Sequence, residues 1–241
     1  MVIDSVNKTW QQLLHPAFRK VFFIGTGLSI LTMIVLLITF FSYWPEGMIT
    51  GWDWLDGKLH EWGWADTTFA ILAIPLFGIV GYFLFPPIAR VVMGVMNEQI
   101  MDAVEEDYYP HNLKKREVGF TENLVHALKF GIVVLVVNLL ALIPYLILLT
   151  TLGIGTLVLY LLINGYLVGR EYMEIAALRH MSFQEMKAFR IRHQSKMMLG
   201  GIANAAMFLV PVLNLAAPII GTAIMTHITQ KCMEQDKHGN F

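Results

Sequence analysis

The chain has 241 residues, of which 56% are hydrophobic and 15% charged, and its mean hydropathy of +0.58 exceeds that of ordinary water-soluble domains. Its formal net charge is −1, from 17 basic and 18 acidic side chains, so it lacks the basic excess that a nucleic-acid partner requires. A single cysteine excludes an internal disulfide. These properties predict an integral membrane protein.

Two apolar segments of ordinary membrane-spanning length come first in chain order. Residues 21–43 and residues 67–88 contain no Asp, Glu, Lys or Arg. Each is close to the roughly 20 residues that a helix needs to cross the hydrocarbon core of a bilayer. We expect both to be full transmembrane helices, joined by an outer loop at residues 44–66.

Two later apolar segments, residues 130–163 and residues 197–228, are too long for one crossing and too short for two crossings with a turn. Proline lies within each of them, at Pro144 in the first and at Pro211 and Pro218 in the second, and proline interrupts helices. The arm before Pro144 would extend only about 21 Å. We therefore expect two re-entrant helical hairpins. Their tips need cover from other helices or subunits, which predicts a homo-oligomer.

The distribution of basic residues predicts the orientation of the chain. The loop at 44–66 contains Lys58 as its one basic residue and five acidic residues, whereas the other Lys and Arg residues flank the remaining apolar segments. By the positive-inside rule, this loop is external, and both termini and both ends of each hairpin are cytoplasmic. We expect a multi-pass protein of a bacterial inner membrane in a single orientation, although the rule is statistical and leaves a dual-orientation assembly open.

The polar stretches at 95–129 and 170–196 have apolar residues spaced by three or four, which is typical of amphipathic helices. We expect them on the cytoplasmic side. The predicted fold class is therefore an all-α integral membrane protein with two full transmembrane helices, two re-entrant hairpins and amphipathic cytoplasmic helices, all within a single membrane domain at 1–241.

The sequence shows no pattern for an enzyme. No nucleophile and base can be paired, no P-loop is present, and the eight histidines include no pair at metal-binding spacing with a carboxylate between them. We expect no catalytic residues, metal or cofactor, and histidines scattered on the surface. The apolar segments also lack the ionisable residue that coupled carriers use, which favours passive conduction, with Glu98 and Asp102 as nearby carboxylates that would serve coupling.

One candidate anion site precedes the first span, in the run from His15 to Lys20. Proline can occupy the first turn of a helix, where free N–H groups and the adjacent cations Arg19 and Lys20 would attract an oxyanion. Basic residues also anchor most first spans at this boundary, and this second interpretation is the commoner one.

A second candidate is Asn214, which lies between Pro211 and Pro218 at the predicted tip of the second hairpin. Broken helices in membrane proteins place ion-binding backbone groups at such tips. Asn214 would then line a pore. Hydrogen bonding between neighbouring helices is the commoner role for such a residue.

Three stretches of the chain together resemble a known family. They are residues 16–20 before the first span, residues 169–179 after the first hairpin, and residues 210–218 at the second hairpin tip, where a Pro-x-Leu-Asn-Leu run is followed by proline. In these stretches, and in length and segment order, the chain resembles the CysZ-type sulfate permeases, which are grouped with the etoposide-induced-protein membrane family.

The resemblance implies two transmembrane helices, two half-penetrating hairpins, homo-oligomers and sulfate uptake for cysteine synthesis. It also implies that Ala17, Phe18, Arg19 and Lys20 bind sulfate, because they stand where the family has a Gly-x-Arg-Arg motif, with alanine replacing glycine and lysine replacing arginine. We expect a channel-like sulfate permease that acts through an oligomer. The alternative is a non-transporting scaffold or lipid-interacting protein of the same fold, which needs the same apolar hairpins and basic face.

Overall fold

The computed structural model describes residues 1–42, 57–58, 61, 96–112, 116, 119–149, 154–237 and 239. This part of the chain is helical, and it contains no β-strand. Its helices are α1 (Val2–Gln12), α2 (Pro16–Ser42), α3 (Asn97–Tyr108), a 3₁₀ turn (Pro110–Asn112), α4 (Phe120–Leu149), α5 (Ile154–Leu178), α6 (Phe183–Arg192), α7 (Gln194–Met207) and α8 (Pro211–Lys237). The all-helical prediction is confirmed for these residues.

The chain divides into two compact units. The first combines Met1–Phe22 with Met96–Phe241, and the second is Phe23–Val95. In the second unit, the structure describes mainly the continuation of α2. The predicted second span at 67–88 and most of the outer loop at 44–66 lie outside the described residues.

Helix α2 begins at Pro16, whose fixed backbone angle suits the first position of a helix. Within it, the hydroxyl of Ser29 donates to the carbonyl of Gly25 at 2.6 Å, so that this polar group is satisfied in an apolar helix. Residues Pro16–Leu36 are long and apolar enough to cross a membrane. The prediction of a spanning helix here is supported by length and composition.

The predicted break at Pro144 is wrong, because helix α4 continues through this proline to Leu149. Membrane helices tolerate an internal proline when neighbouring groups satisfy the freed carbonyl. The apolar stretch Leu128–Leu149 has 22 residues and is the second candidate span in the described part. At 1.5 Å per residue this stretch extends about 33 Å. It is therefore longer than the arm of about 21 Å that was predicted to end before Pro144.

In the second predicted hairpin, the turn lies at residues 208–210, and α8 starts at Pro211 as proline at a first helical position allows. Pro218 does not interrupt the helix, since α8 continues through it, and its side chain is buried. The expected interruption by two prolines is therefore correct at Pro211 and wrong at Pro218.

Helix α8 is the central helix of the first unit. Residues 217–230 are all buried, and α1, α3, α5 and α7 contact this helix. The apolar character of the segment 197–228 thus arises partly from burial in protein. The core around α8 is built from Met173, Ala177, Met186, Phe189, Met197, Ile220, Ile224, Met225 and Ile228.

Glycines allow α5 and α7 to cross in close contact. A Cβ atom on Gly201 would overlap the carbonyl oxygen of Gly165, and one on Gly169 would overlap the carbonyl oxygen of Met197. Both obstacles are backbone atoms, which cannot rotate away. Small residues at such crossings are a common way for membrane helices to approach each other.

Candidate functional site

The first turn of α2 is organised by His15. Its Nδ1 atom accepts the Ala17 amide at 3.2 Å, and its carbonyl oxygen accepts the Arg19 amide at 3.1 Å. Two first-turn amides are therefore already occupied by the protein. An oxyanion at this end of the helix would depend mainly on side-chain cations.

The four predicted sulfate-binding residues divide into two pairs. The side chains of Arg19 and Lys20 are exposed, and neither makes an ion pair with any residue in the described part of the chain. Phe18 is 2% exposed, with its ring edge-on to His15, and Ala17 is half-buried. The cations are thus accessible to an anion, whereas Phe18 and Ala17 fix the helix on which the cations stand.

A cleft of about 450 Å³ lies beside this helix start, lined by Gln11, Gln12, Leu14, His15, Asp107 and Tyr108. The Gln12 amide donates to the Asp107 carboxylate at 2.8 Å, and His15 Nε2 lies 3.7 Å from the same oxygen. Asp107 adds negative charge close to a predicted anion site. Sequence reasoning did not find it, because 95 residues separate it from Gln12.

The predicted tip residues lie on another helix, α8. Pro211 is exposed at the first position of this helix, and Pro218 is buried. Asn214 is half-buried, and its backbone N–H donates to the Val210 carbonyl at 2.8 Å. The carbonyl of Pro218 accepts the hydroxyl of Thr222 at 2.8 Å. The basic motif and the tip residues therefore belong to different helices, α2 and α8.

A buried polar cluster surrounds Glu105 of α3, whose side chain is inaccessible to solvent. Its carboxylate contacts Arg179 at 3.1 Å, His180 at 2.8 Å and the Gln230 amide at 3.0 Å. Arg179 also pairs with Asp102. Burial alone would raise the pKa of Glu105, but the hydrogen bond from His180 and the charge of Arg179 hold it below its usual value. This cluster ties α3 to the end of α5 and to α8.

A second buried cluster surrounds Glu174 of α5. The carboxylate contacts His126 of α4 at 2.7 Å, Arg170 at 2.8 Å and Arg190 of α6 at 2.5 Å. Burial opposes ionisation, yet the His126 hydrogen bond and the two guanidinium groups lower the pKa of Glu174 below its usual value. Three helices therefore meet at one ionised carboxylate.

The expectation that the histidines are scattered on the surface is wrong for three of them. His126, His193 and His227 are buried. His227 lies between the Tyr109 hydroxyl, 3.1 Å from Nδ1, and the Gln12 side chain, 3.2 Å from Nε2. These contacts join residues more than 100 positions apart, so the histidines are part of the folded core. In the described residues, no group of three or more His, Cys, Asp or Glu side chains is placed to hold a metal ion.

Ion pairs tie the start of α4 to the end of α5, and the start of α7 to the end of α8. His126 near the start of α4 contacts Glu174 near the end of α5, and His193 before α7 contacts Asp236 near the end of α8 at 2.9 Å. The N-terminal helix joins the same region through the pair between Asp4 and Lys231. In the described residues, an all-helical architecture with two apolar helices of membrane-spanning length is that of a helical membrane protein.

The sequence of the chain matches the family "Sulfate transporter CysZ/Etoposide-induced protein 2.4" over residues 5–218. The chain belongs to this family, and the resemblance inferred from its three motifs is confirmed. All three motif stretches, at 16–20, 169–179 and 210–218, fall within the matched range. A search of curated proteins found no match.

Proposed function

We propose that this protein conducts sulfate, or a closely related oxyanion, passively across a bacterial inner membrane as a homo-oligomer, and that it supplies sulfate for cysteine biosynthesis. The observation that carries the proposal is membership of the sulfate transporter family over residues 5–218. The protein acts without a cofactor and is not an enzyme, in keeping with a transporter-type family.

Arg19 and Lys20 gather the dianion at the cytoplasmic end of the path. Both are exposed, and His15 and Phe18 hold the first turn of their helix in place. Two adjacent cations attract a doubly charged oxyanion, and arginine offers a planar pair of donors that matches its oxygens. Asp102 is one of the two nearby carboxylates, with Glu98, that would serve coupling, and its ion pair with Arg179 favours passive conduction.

The hairpins return to the cytoplasmic side, and both termini lie there too. The contact between His126 and Glu174 joins the two polar ends of the first hairpin, and the contact between His193 and Asp236 does the same for the second. Neither hairpin can keep such a contact if its two ends lie on opposite faces of the bilayer. Residues 67–88 form the second full span in this arrangement, and residues 44–66 form the outer loop.

The tip of the second hairpin shapes the pore. Asn214 follows the turn at 208–210 and lies between Pro211 and Pro218. Its amide side chain is a neutral donor that can replace part of the hydration shell of an oxyanion. Leu209 and Val210 beside it are 47% and 45% exposed, so this tip is apolar enough to enter lipid or another subunit.

The exposed apolar side chains of α4 support an oligomer embedded in lipid. Leu135, Leu139 and Leu140 are 60%, 60% and 71% exposed, which is unfavourable in water. Lipid chains and neighbouring subunits cover them in the assembled protein.

Uptake of labelled sulfate into proteoliposomes tests the proposal. We expect saturable uptake that exceeds empty liposomes and is reduced more by excess unlabelled sulfate than by chloride or phosphate. The variant Arg19→Ala should lower uptake at subsaturating sulfate by about tenfold or more, since a hydrogen bond to a charged group contributes roughly 1.5–3 kcal/mol. The matched control Lys187→Ala removes an exposed cation from α6 and should leave uptake unchanged.

Size-exclusion chromatography of each variant separates loss of transport from loss of assembly. Uptake no higher than in empty liposomes, from correctly assembled protein, would contradict conduction and would favour the scaffold or lipid-interacting alternative. Uptake that Arg19→Ala and Lys187→Ala reduce equally would refute the assigned anion site.

A further inference from the structure

Helix α1 packs a face of mixed polarity inward, with Val2, Val6 and Leu13 against the hydrophobic core and three buried polar side chains beside them. Ser5, Thr9 and Gln12, spaced by four and three residues along one face, are 0%, 0% and 5% exposed. They pack toward α8, where Thr226, His227 and Thr229 are fully buried.

The outward surface of α1 includes a strip of large apolar side chains beside the exposed polar residues Asp4 and Gln11. Ile3 is 79% exposed, Trp10 is 53% exposed, and Leu14 in the turn after the helix is 82% exposed. Their spacing of seven and four residues places Ile3 and Trp10 on one side of the helix, with Leu14 continuing that line. Asn7 is the polar residue on this side and is also exposed. Water alone is an unfavourable environment for three large apolar side chains in a row.

The position of α1 identifies what covers this strip. Leu14 precedes Pro16 by two residues, and Pro16 begins the apolar stretch Pro16–Leu36 that is long enough to cross a membrane. The apolar strip therefore leads directly into a segment that enters lipid. Tryptophan beside such a segment is typical of the membrane–water interface, where an apolar ring with one N–H group is stable.

We infer that α1 is an interfacial helix that lies along the membrane surface, with Ile3, Trp10 and Leu14 inserted at the boundary between lipid headgroups and acyl chains. Its inner face remains bound to the protein through Gln12, which contacts both Asp107 and His227. Asn7 tolerates this depth because headgroups and water supply hydrogen bonds there. The inference holds whichever ion the protein conducts.

This arrangement gives α1 a role in placing the start of α2. Gln12 and His15 both face Asp107, and His15 caps the first turn that carries Arg19. A helix held at the interface fixes the depth of that turn relative to the headgroups. The membrane itself then becomes one of the groups that position the basic residues.

Site-directed fluorescence on the full-length protein in liposomes tests the inference. In a Cys232→Ala background, single cysteines replace Ile3, Trp10 or Leu14, and each is labelled with an environment-sensitive dye. Gln11→Cys is the matched control, because Gln11 is exposed on the same helix about 100° away from Trp10. Lipids carrying a nitroxide near the headgroup and aqueous iodide serve as the two quenchers.

We expect the labels at positions 3, 10 and 14 to be quenched by the lipid nitroxide at least threefold more than the label at position 11, and iodide to show the reverse order. Quenching by iodide that is equal at all four positions would overturn the inference. Protection from both quenchers would also overturn it, because that outcome shows that a second protein chain covers the strip.

A second measurement avoids the buried cysteine, whose replacement can disturb folding. Wild-type protein and Trp10→Phe are compared in bilayers whose lipids carry bromine near the headgroup end of the chains. Loss of Trp10 should reduce the bromine-quenched part of the tryptophan emission. An unchanged quenched part from a correctly folded variant would place Trp10 outside the lipid and would overturn the inference.

Discussion

His126 and Glu174 lie 48 residues apart, and their side chains meet at 2.7 Å in a buried contact between α4 and α5. The contact ties the start of α4 to the end of α5. Arg170 and Arg190 reach the same carboxylate, so that Glu174 separates two guanidinium groups that would otherwise repel each other. The contact of α5 with α4 and α6 at this point therefore depends on one negative charge.

Replacing that charge should destabilise the protein strongly. We expect Glu174→Gln to lower the free energy of unfolding by about 3–5 kcal/mol, the usual cost of removing one partner from a buried ion pair. His126→Leu should cost less, about 1.5–3 kcal/mol, because it removes one hydrogen bond to the carboxylate. Denaturant unfolding in detergent, followed by circular dichroism, measures both.

The control for these variants is Glu185→Gln. Glu185 is exposed at the start of α6, where it accepts the Ser182 amide at 2.8 Å, and glutamine can accept the same bond. Its effect should stay below about 1 kcal/mol. Equal effects at positions 174 and 185 would contradict the structural role of the buried cluster.

Glu171, one residue from Arg170, should make the stability of the protein depend on pH in the opposite direction from a carboxylate whose pKa is lowered. Burial raises the pKa of Glu171 above 4.5, and the charge of His126 only partly offsets this. The folded state therefore binds this proton more tightly than the unfolded state does. The contribution of this group to stability is complete below pH 4.5 and is lost as the pH rises through the folded-state pKa.

We accordingly expect Glu171→Gln to become progressively more stable than the wild type as the pH rises above 4.5. Unfolding temperatures measured across this range in detergent check the prediction. Glu105 provides the comparison, because its lowered pKa makes its contribution disappear as the pH falls below 4.5. A pH-independent difference between Glu171→Gln and the wild type would show that the Glu171 carboxyl ionises equally in both states.

The crossing of α5 and α7 should not accept a methyl group. Gly201→Ala would force the new Cβ atom onto the carbonyl oxygen of Gly165, so the two helices would have to separate. We expect a loss of about 1–3 kcal/mol, as for other overpacked sites. Gly131→Ala is the matched control, because a Cβ atom there meets no other atom within 4 Å.

In that control, replacing glycine by alanine inside a helix should raise stability by about 0.5–1 kcal/mol. Thermal unfolding of both variants under the same detergent conditions decides the question. If Gly201→Ala were as stable as Gly131→Ala, the close approach of the two helices would be refuted.

Asp107 should weaken oxyanion binding at the start of α2. Its carboxylate lies 3.7 Å from His15 Nε2, and His15 caps the turn that carries Arg19. We expect Asp107→Asn to lower the sulfate concentration for half-maximal uptake about two- to fivefold, equivalent to roughly 0.5–1 kcal/mol for an exposed charge. The Gln12 hydrogen bond can persist, because asparagine keeps an acceptor oxygen.

Sulfate-dependent uptake measured at low and at high ionic strength tests this effect, which should fade as salt screens the charge. The neighbouring Glu106→Gln removes an exposed charge from the same helix and is the control. A similar change in both variants would mean that the general surface potential, and not the position of Asp107, sets the affinity.

The membrane character of the chain was predictable from local properties. Uncharged length predicts the long apolar helix α2, because it depends on residues adjacent in sequence. The family resemblance depended on short motifs for the same reason. The orientation predicted from loop charge stays a prediction. Pro211 also begins a helix as its backbone chemistry suggests.

The predictions that the structure overturns failed for one physical reason, which is that tertiary contacts are not visible in local sequence. Pro144 and Pro218 stay within helices because surrounding contacts outweigh the local cost of an interior proline. Residues 217–230 resemble a lipid-facing segment in composition, yet protein surrounds them. Hydropathy does not distinguish burial in protein from burial in lipid. The contacts of Asp107, Glu105 and His227 were not predictable, because partners 74 to 215 positions away complete them.

The central place of α8 has a consequence for how the chain is made. Ribosomes add residues in order, so α1, α3, α5 and α7 are all synthesised before the helix that they surround. Before residues 217–230 are made, α5 and α7 can pack against each other, but the helix that all four of them contact is missing. Glu105 also lacks its partner Gln230 until then. The part of the chain that surrounds α8 must therefore reach its final arrangement late in synthesis, after α2 and α4 have already been made.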